Sequence, residues 1–195
     1  MSGQSGNAVG LVIKLDEGEF AKLTQKLNEL SGGKANKYIA RALNKTATSA
    51  RLALAGKAQE AYTVKLGGFR KDAQIKNATA GHLVAYIKSQ GKPLDVIRFK
   101  TAKNTKKAGA KAQIITNGKL KQIHKDEPKS FKATGKGNGQ IFYRAGKPRL
   151  PIMKVKSKSV PYMLGNDERV WTPTRPQIES DLRKYMEQQI AFLLK

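Results

Sequence analysis

The sequence predicts an α+β fold, with two helices before a central antiparallel sheet and one helix after it. Apolar residues recur every three or four positions near both ends of the chain and alternate with polar residues between about 73 and 144. Glycine and proline separate these patterns. A chain of 195 residues has the usual length of one domain. We therefore expect one domain over 11–195, preceded by a flexible N-terminus at 1–10.

Helical periodicity is clearest in three segments. The predicted helices span residues 16–30 and 34–61, and a third begins near 174 and runs towards the end of the chain. The glycine pair Gly32 and Gly33 is expected to end the first helix, because glycine tolerates the left-handed backbone of a C-terminal turn. The second helix is rich in alanine. Its alanine face suits either packing within the chain or contact with another subunit.

Period-two patterns place the sheet in the middle of the chain, after one earlier strand at 11–15. The residues after this sheet contain too many prolines for a long element, so we expect an extended arm at about 150–173 that docks on neighbouring subunits. The predicted strands of the sheet are 73–78, 82–89, 96–100, 112–116, 120–124, 130–133 and 141–144.

Positive charge dominates the composition. The chain has 38 Lys and Arg against 14 Asp and Glu, a formal net charge of +24. Residues 98–158 contain 18 of those basic residues and only two acidic ones, Asp126 and Glu127. Such self-repulsion opposes compaction unless an anionic partner lies close by. We therefore expect either an acidic protein or a nucleic acid as a partner.

Lysines supply most of this central charge. Lysine is a hydrated point charge with little geometric discrimination, so base-specific reading is not expected. Double-stranded DNA would be attracted through counterion release, and an acidic protein ring would serve equally well. Few aromatic residues interleave with these lysines, which disfavours a stacking platform for single strands. The candidate contacts are Lys100, Lys103, Lys106, Lys107, Lys111, Lys119, Lys121, Lys125, Lys132 and Lys136.

Catalytic chemistry is not indicated. The chain has no cysteine and only two histidines, His82 and His124, neither of which has a second ligand at metal spacing. The loop at 135–139 is rich in glycine but lacks the G-x-x-x-x-G-K-[ST] pattern of a nucleotide-binding loop, so it is either a hairpin loop or a weak phosphate contact. We expect no enzyme activity and no cofactor. No apolar run approaches the roughly 20 residues that span a bilayer, so no membrane partner is expected.

One motif carries family information. Residues 142–152 read F-x-R-x-G-K-x-R-L-P-I, and residues 159–163 read S-V-P-x-M. Together they resemble the minor tail protein Z family of long-tailed bacteriophages. Shorter matches precede them in family order: Ala42-Leu43-Asn44, Tyr62-Thr63-Val64, and Pro93-Leu94 leading to Phe99. Where relatives have a glycine-proline pair before S-V-P, this chain has Lys156-Ser157-Lys158.

The resemblance implies a virion structural protein, made in the host cytoplasm, that completes the tail at its head-proximal end and enables head-tail joining. It implies a closed ring of subunits, most simply a hexamer, beside the tail terminator, tail tube and head-tail connector. The alternative from composition alone is a general, sequence-independent nucleic-acid-binding protein. The residues expected at the subunit or ring interface are Arg144, Lys147, Arg149, Leu150, Pro151, Ile152, Val160, Pro161 and Met163.

Overall fold

A computed structural model of the protein describes residues 7–14, 17–65, 69–102, 109–123, 130–133 and 139–195. The predicted mixture of helices and antiparallel strands is confirmed, but the single central sheet is wrong. In this part of the chain the strands form three separate three-stranded sheets. The six strands that follow Phe99 are only two to four residues long. Strands this short pair with their near neighbours in sequence and cannot extend one continuous sheet.

The first sheet contains β1 (Asn7–Lys14), β2 (Ala73–Lys76) and β3 (Val84–Gly91). Strand β3 lies in the centre and pairs antiparallel with both others. Residues 7–10 pair with residues 88–91 of β3, which corrects the expected flexible N-terminus over this part of 1–10. Alternate residues of β3 are buried, so one face of this sheet packs on the helices and the other faces solvent.

Three long helices pack against one another, and the second of them also packs on the buried face of the first sheet. They are α1 (Glu17–Ser31), α2 (Ala35–Ala61) and, after the short α3 (Val160–Leu164), α4 (Thr172–Leu193). Gly32 and Gly33 have φ values of 57° and 84°, the left-handed turn expected after α1. The three predicted long helices are therefore confirmed.

The alanine-rich face of α2 packs inside the chain. Ala42, Ala47 and Ala58 are fully buried, and α2 packs against α4 and the first sheet. Small side chains let these backbones approach closely. Asn44 fixes the helix further, because its amide nitrogen donates to the Ala78 carbonyl at 3.0 Å and its Oδ1 accepts from the Ala78 N–H at 2.7 Å. Of the two uses left open by the sequence, packing within the chain is the one observed.

The second and third sheets share a smaller core of their own. This second core is formed by Val96, Ala110, Ala112, Ile141 and Val155. The main core, by contrast, lies between the first sheet and the helices and includes Phe20, Phe69 and Phe99. The strands of the second sheet are β4 (Lys100–Thr101), β5 (Lys111–Gln113) and β6 (Lys121–Gln122), and those of the third are β7 (Phe131–Lys132), β8 (Ile141–Arg144) and β9 (Ile152–Lys154).

The segment expected to be an extended arm at 150–173 is largely regular structure. It contains β9, α3 and a π-helical turn at Asp167–Trp171 that runs directly into α4. The prolines do not prevent this, because Pro161 occupies the first turn of α3, where its missing N–H costs little. Asn166 caps the π-helical turn by accepting from the Arg169 N–H at 2.9 Å. As a result α4 begins at Thr172, two residues before the predicted start.

The Tyr62-Thr63-Val64 motif joins the two cores. Tyr62 follows the end of α2, and its backbone bridges Ile115. The Thr63 N–H donates to the Ile114 carbonyl at 3.0 Å, and the Lys65 N–H donates to the Arg98 carbonyl at 2.6 Å. The side chains of Tyr62 and Val64 are buried in the main core while their backbone pairs with the chain beside the second sheet. The motif therefore has a structural role.

Burial of Tyr62 predicts a loss of stability at alkaline pH. Burial raises the pKa of the Tyr62 phenol above its ordinary value of 10.0, against a smaller lowering effect of Arg169. The contribution of this neutral phenol is thus complete below pH 10.0 and is lost as the pH rises, because the unfolded state releases its proton first. We expect the free energy of unfolding of wild type minus that of Tyr62→Phe to be constant up to about pH 9 and to fall as the pH rises through about 10 and above. Urea titrations of both proteins measure it; a difference independent of pH contradicts the prediction.

Candidate functional site

The second sheet does not gather its lysines on one face. Lys100 pairs with Gln113, which lies on the same side of β5 as Lys111. Lys121 pairs with Ala112 and therefore points to the opposite side. All three lysines are exposed. The sheet thus offers positive charge on both faces and no single basic surface.

The remaining central lysines are placed less uniformly. Lys119 is exposed in the turn before β6, whereas Lys132 on β7 is half-buried. The Lys132 side chain lies against the backbone of Gly139, where an added Cβ would come within 3.1 Å of its Cε. Of the other residues named from the sequence, Lys103, Lys106, Lys107, Lys125, Lys136, His124 and most of the glycine-rich loop lie outside the described residues.

The third sheet presents an outer face of aromatic, basic and aliphatic side chains. Phe131 pairs with Phe142, and their ring centroids are 6.2 Å apart. Arg144 lies two residues along β8 on the same face, with its guanidinium carbon 5.3 Å from the centre of the Phe131 ring. Ile152 and Lys154 stand opposite Arg144 and Phe142. We call these five side chains the outer face, because the opposite side of β8 carries Ile141 into the second core.

Arg144 is only partly satisfied in this position. Its Nε is buried and has no hydrogen-bond partner among the described residues. Buried polar atoms in proteins nearly always have such a partner, since leaving one unpaired costs about 1–3 kcal/mol. The neighbouring Lys154 has a carboxylate near it, Asp95 at 3.9 Å.

The connection from β8 to β9 forms an exposed hairpin tip at residues 145–151. The Ala145 N–H donates to the Pro151 carbonyl at 3.2 Å and closes the tip, whose Leu150-Pro151 peptide bond is cis. Lys147 and Arg149 are exposed there, and Leu150 is 67% exposed. Three large apolar side chains, Leu150, Ile152 and Met153, are exposed within four residues. Apolar patches beside arginine are typical of protein interfaces.

The second half of the motif has the opposite environment. Val160, Pro161 and Met163 lie on α3 and are buried, Val160 and Met163 in the main core, so they present almost no surface to a neighbouring subunit. Ser159 begins this helix by accepting from the Tyr162 N–H at 3.4 Å. Three residues proposed for an interface are thereby placed inside the chain. These residues are buried because α3 is a helix, which turns them towards the core; an extended arm would not have done so.

Sequence reasoning missed two surface residues, Tyr162 on α3 and Lys158 just before it. Tyr162 is 42% exposed, and the Lys158 ammonium lies 4.1 Å from the centre of its ring. The other residues of α3 are buried, and the helical geometry directs Tyr162 to the opposite side, towards solvent. A helical reading of S-V-P-x-M would have identified it from the sequence.

The described residues offer no metal-binding group of His, Cys, Asp and Glu side chains. His82 is exposed, stacks on Tyr86 with ring centroids 6.0 Å apart, and has its Nε2 3.3 Å from the tyrosine hydroxyl. Over the same residues, every helix is too short or too polar to cross a membrane.

Comparison with known protein families agrees with the motif. A family model described as prophage minor tail protein Z (GPZ) matches residues 21–195 of the 195-residue chain. The chain belongs to this family. Among curated proteins and among solved structures, no significant match was found. The resemblance drawn from the tail protein Z motifs is thus confirmed over nearly the whole chain.

Family membership gives the chain a structural role in a phage tail. It also implies a place in the virion and contacts with other tail or virion proteins. Within this minor tail protein, the first part of the motif lies on the hairpin tip and outer face, and the second part lies in the core. Only the first part is available for such contacts.

Proposed function

We propose that this protein completes the phage tail at its head-proximal end and enables the head to join. It acts there as a non-enzymatic subunit of a closed ring, most simply a hexamer, because heterologous contacts close into rings in stacked assemblies. Its neighbours would be the tail terminator, the tail tube and the head-tail connector. The observation that carries the proposal is the exposure of Leu150 within a motif that resembles that of the family.

The hairpin tip and the outer face would contact the neighbouring subunit or ring. Leu150 and Ile152 supply apolar area, and Arg149 and Lys147 supply charge for an acidic neighbour. Arg144, half-buried on the outer face, would add a further positive charge to the same contact. Interfaces concentrate their binding energy in a few such residues, with arginine enriched among them. The exposed lysines of the second sheet would face DNA or an acidic ring.

Replacing Leu150 with aspartate tests this surface. Phage lacking the gene would be supplied in trans with wild type, Leu150→Asp or Leu30→Asp, and the particles counted by electron microscopy and by infectivity. We expect Leu150→Asp to leave full heads separate from tails of finished length, because a charge replaces an apolar contact. Loss of a hot-spot contact weakens binding about 30-fold or more. Leu30 is also exposed but lies on α1, outside the motif, so its variant should join normally.

The outcomes separate the two parts of the proposal. Normal infectious particles from phage lacking the gene altogether would exclude a role in tail completion. Defective particles without the gene, but normal ones with Leu150→Asp, would exclude the hairpin tip as the contact. Urea titration of both purified variants checks that each is folded.

A further inference from the structure

A groove between α2 and α4 carries a second concentration of positive charge. Its volume is about 670 Å³, and its lining includes Arg41, Lys45 and Lys195. Gln188 and Gln189 add amide groups. No Asp or Glu side chain is among the described residues that line the groove; Glu187 lies outside it, and Asp181 accepts from the Ser49 hydroxyl. The groove therefore selects for an anionic ligand.

The groove continues into a basic stripe along α2. At 100° per residue, Lys34, Lys37, Arg41 and Lys45 fall within about 80° of one another, and all four are exposed. The stripe extends about 16 Å at 1.5 Å per residue. Glu60 is the first acidic residue on this helix. Half of α2 thus presents cations to solvent with no acidic residue among them.

These cations are positioned but not neutralised. Arg41 lies over the Tyr38 ring at 5.5 Å, and Lys45 lies 5.9 Å from the centre of the Tyr185 ring. The ion pairs of the described residues involve other side chains, none from the stripe. Contacts with aromatic rings restrict a side chain without cancelling its charge. Less conformational entropy is then lost when an anion binds.

The length of the stripe favours double-stranded DNA as the anion. Each strand of duplex DNA carries one charge per 3.4 Å of axis, so about 16 Å of helix faces four to five phosphates. An acidic peptide would need carboxylates held at a regular spacing, whereas the covalent backbone of the duplex holds its phosphates at one. Phe192 is 62% exposed at the groove, but Tyr38 and Tyr185 are half-buried and lie against Arg41 and Lys45, so these three rings do not form a stacking platform for single strands. We propose that the stripe and the groove bind the phosphate backbone of double-stranded DNA without reading its sequence.

The salt dependence of binding tests the proposal independently of tail completion. The purified full chain would be titrated against a fluorescent duplex of about 20 base pairs over a series of salt concentrations. Each lost phosphate contact lowers the slope of log affinity against log salt by about 0.9. We expect the double variant Arg41→Gln with Lys45→Gln to lower the slope by about 1.8.

The matched control is Lys76→Gln with Lys88→Gln. Both lysines are exposed, and the register places them on the solvent side of the first sheet, away from the buried face that packs on the helices. This variant loses the same charge and should keep the wild-type slope. Equal losses in both variants would mean that net charge alone binds DNA and would overturn the proposal. An unchanged slope in the Arg41 and Lys45 variant, or wild-type protein that binds an acidic protein but no duplex, would overturn it as well.

Discussion

Met163→Ala is expected to destabilise the protein by about 2–5 kcal/mol, the range for removing most of a buried methionine side chain. Met163 has no exposed surface and packs in the main core next to α2 and the first sheet. Its loss leaves a cavity that the rigid helix and sheet cannot fill. For a chain of this length the midpoint of thermal unfolding should fall by about 4–20 °C.

The neighbouring Tyr162 is the control for that experiment. It lies on the same helix but is 42% exposed, so Tyr162→Ala should change the stability by well under half as much. Urea unfolding of the isolated protein measures both. If Met163→Ala proved as stable as wild type, the placement of α3 in the core would be wrong. Met163 would then be free to act at a subunit interface, as the motif alone suggested.

The long helices were predictable because their apolar spacing is unambiguous over many turns. The periodic residues of α2 and α4 lie on faces that are now seen to be buried, and the glycine pair after α1 takes the expected left-handed turn. The central sheet was not predictable in the same way. Strands of two to four residues contain only one or two periods of alternation, so the sequence indicates extended backbone without indicating its partner.

The interaction surface was predictable only in part. Arg149 and Leu150 are exposed, as an interface requires, because a hairpin tip keeps them away from both cores. Met163 could not be separated from them, since proline in the motif concealed one turn of helix. The basic stripe was visible in the sequence, because Lys37, Arg41 and Lys45 follow helical spacing on a helix already predicted. It was not predicted because residues 98–158 contain a higher density of positive charge, and only that segment was considered as a basic binding surface.

Phe99→Ala is expected to have the largest effect on stability, about 3–5 kcal/mol. Phe99 is fully buried in the main core, yet the next residue begins β4 of the second sheet. Val96, three residues earlier, belongs to the second core. Removing the phenyl ring therefore loosens the connection between the two cores as well as the packing of the first.

Because of this connection we expect the two cores to unfold together. Trp171, the only tryptophan, packs against the main core, so its fluorescence reports on that core alone. Ile141→Ala removes a buried side chain from the second core and should cost about 2–5 kcal/mol. In a cooperative unit this loss shifts the urea midpoint seen by Trp171, although Ile141 is not part of the main core.

Trp171 fluorescence of both variants, followed during urea unfolding, tests whether the two cores unfold together. A shift of the Trp171 transition in Phe99→Ala but not in Ile141→Ala would mean that the second core unfolds by itself. The outer face and hairpin tip, which rest on the second core through Ile141, would then order independently of the helices. A shift in both variants ties the outer face to the whole fold, because the backbone bonds from Thr63 to Ile114 and from Lys65 to Arg98 hold the two cores together.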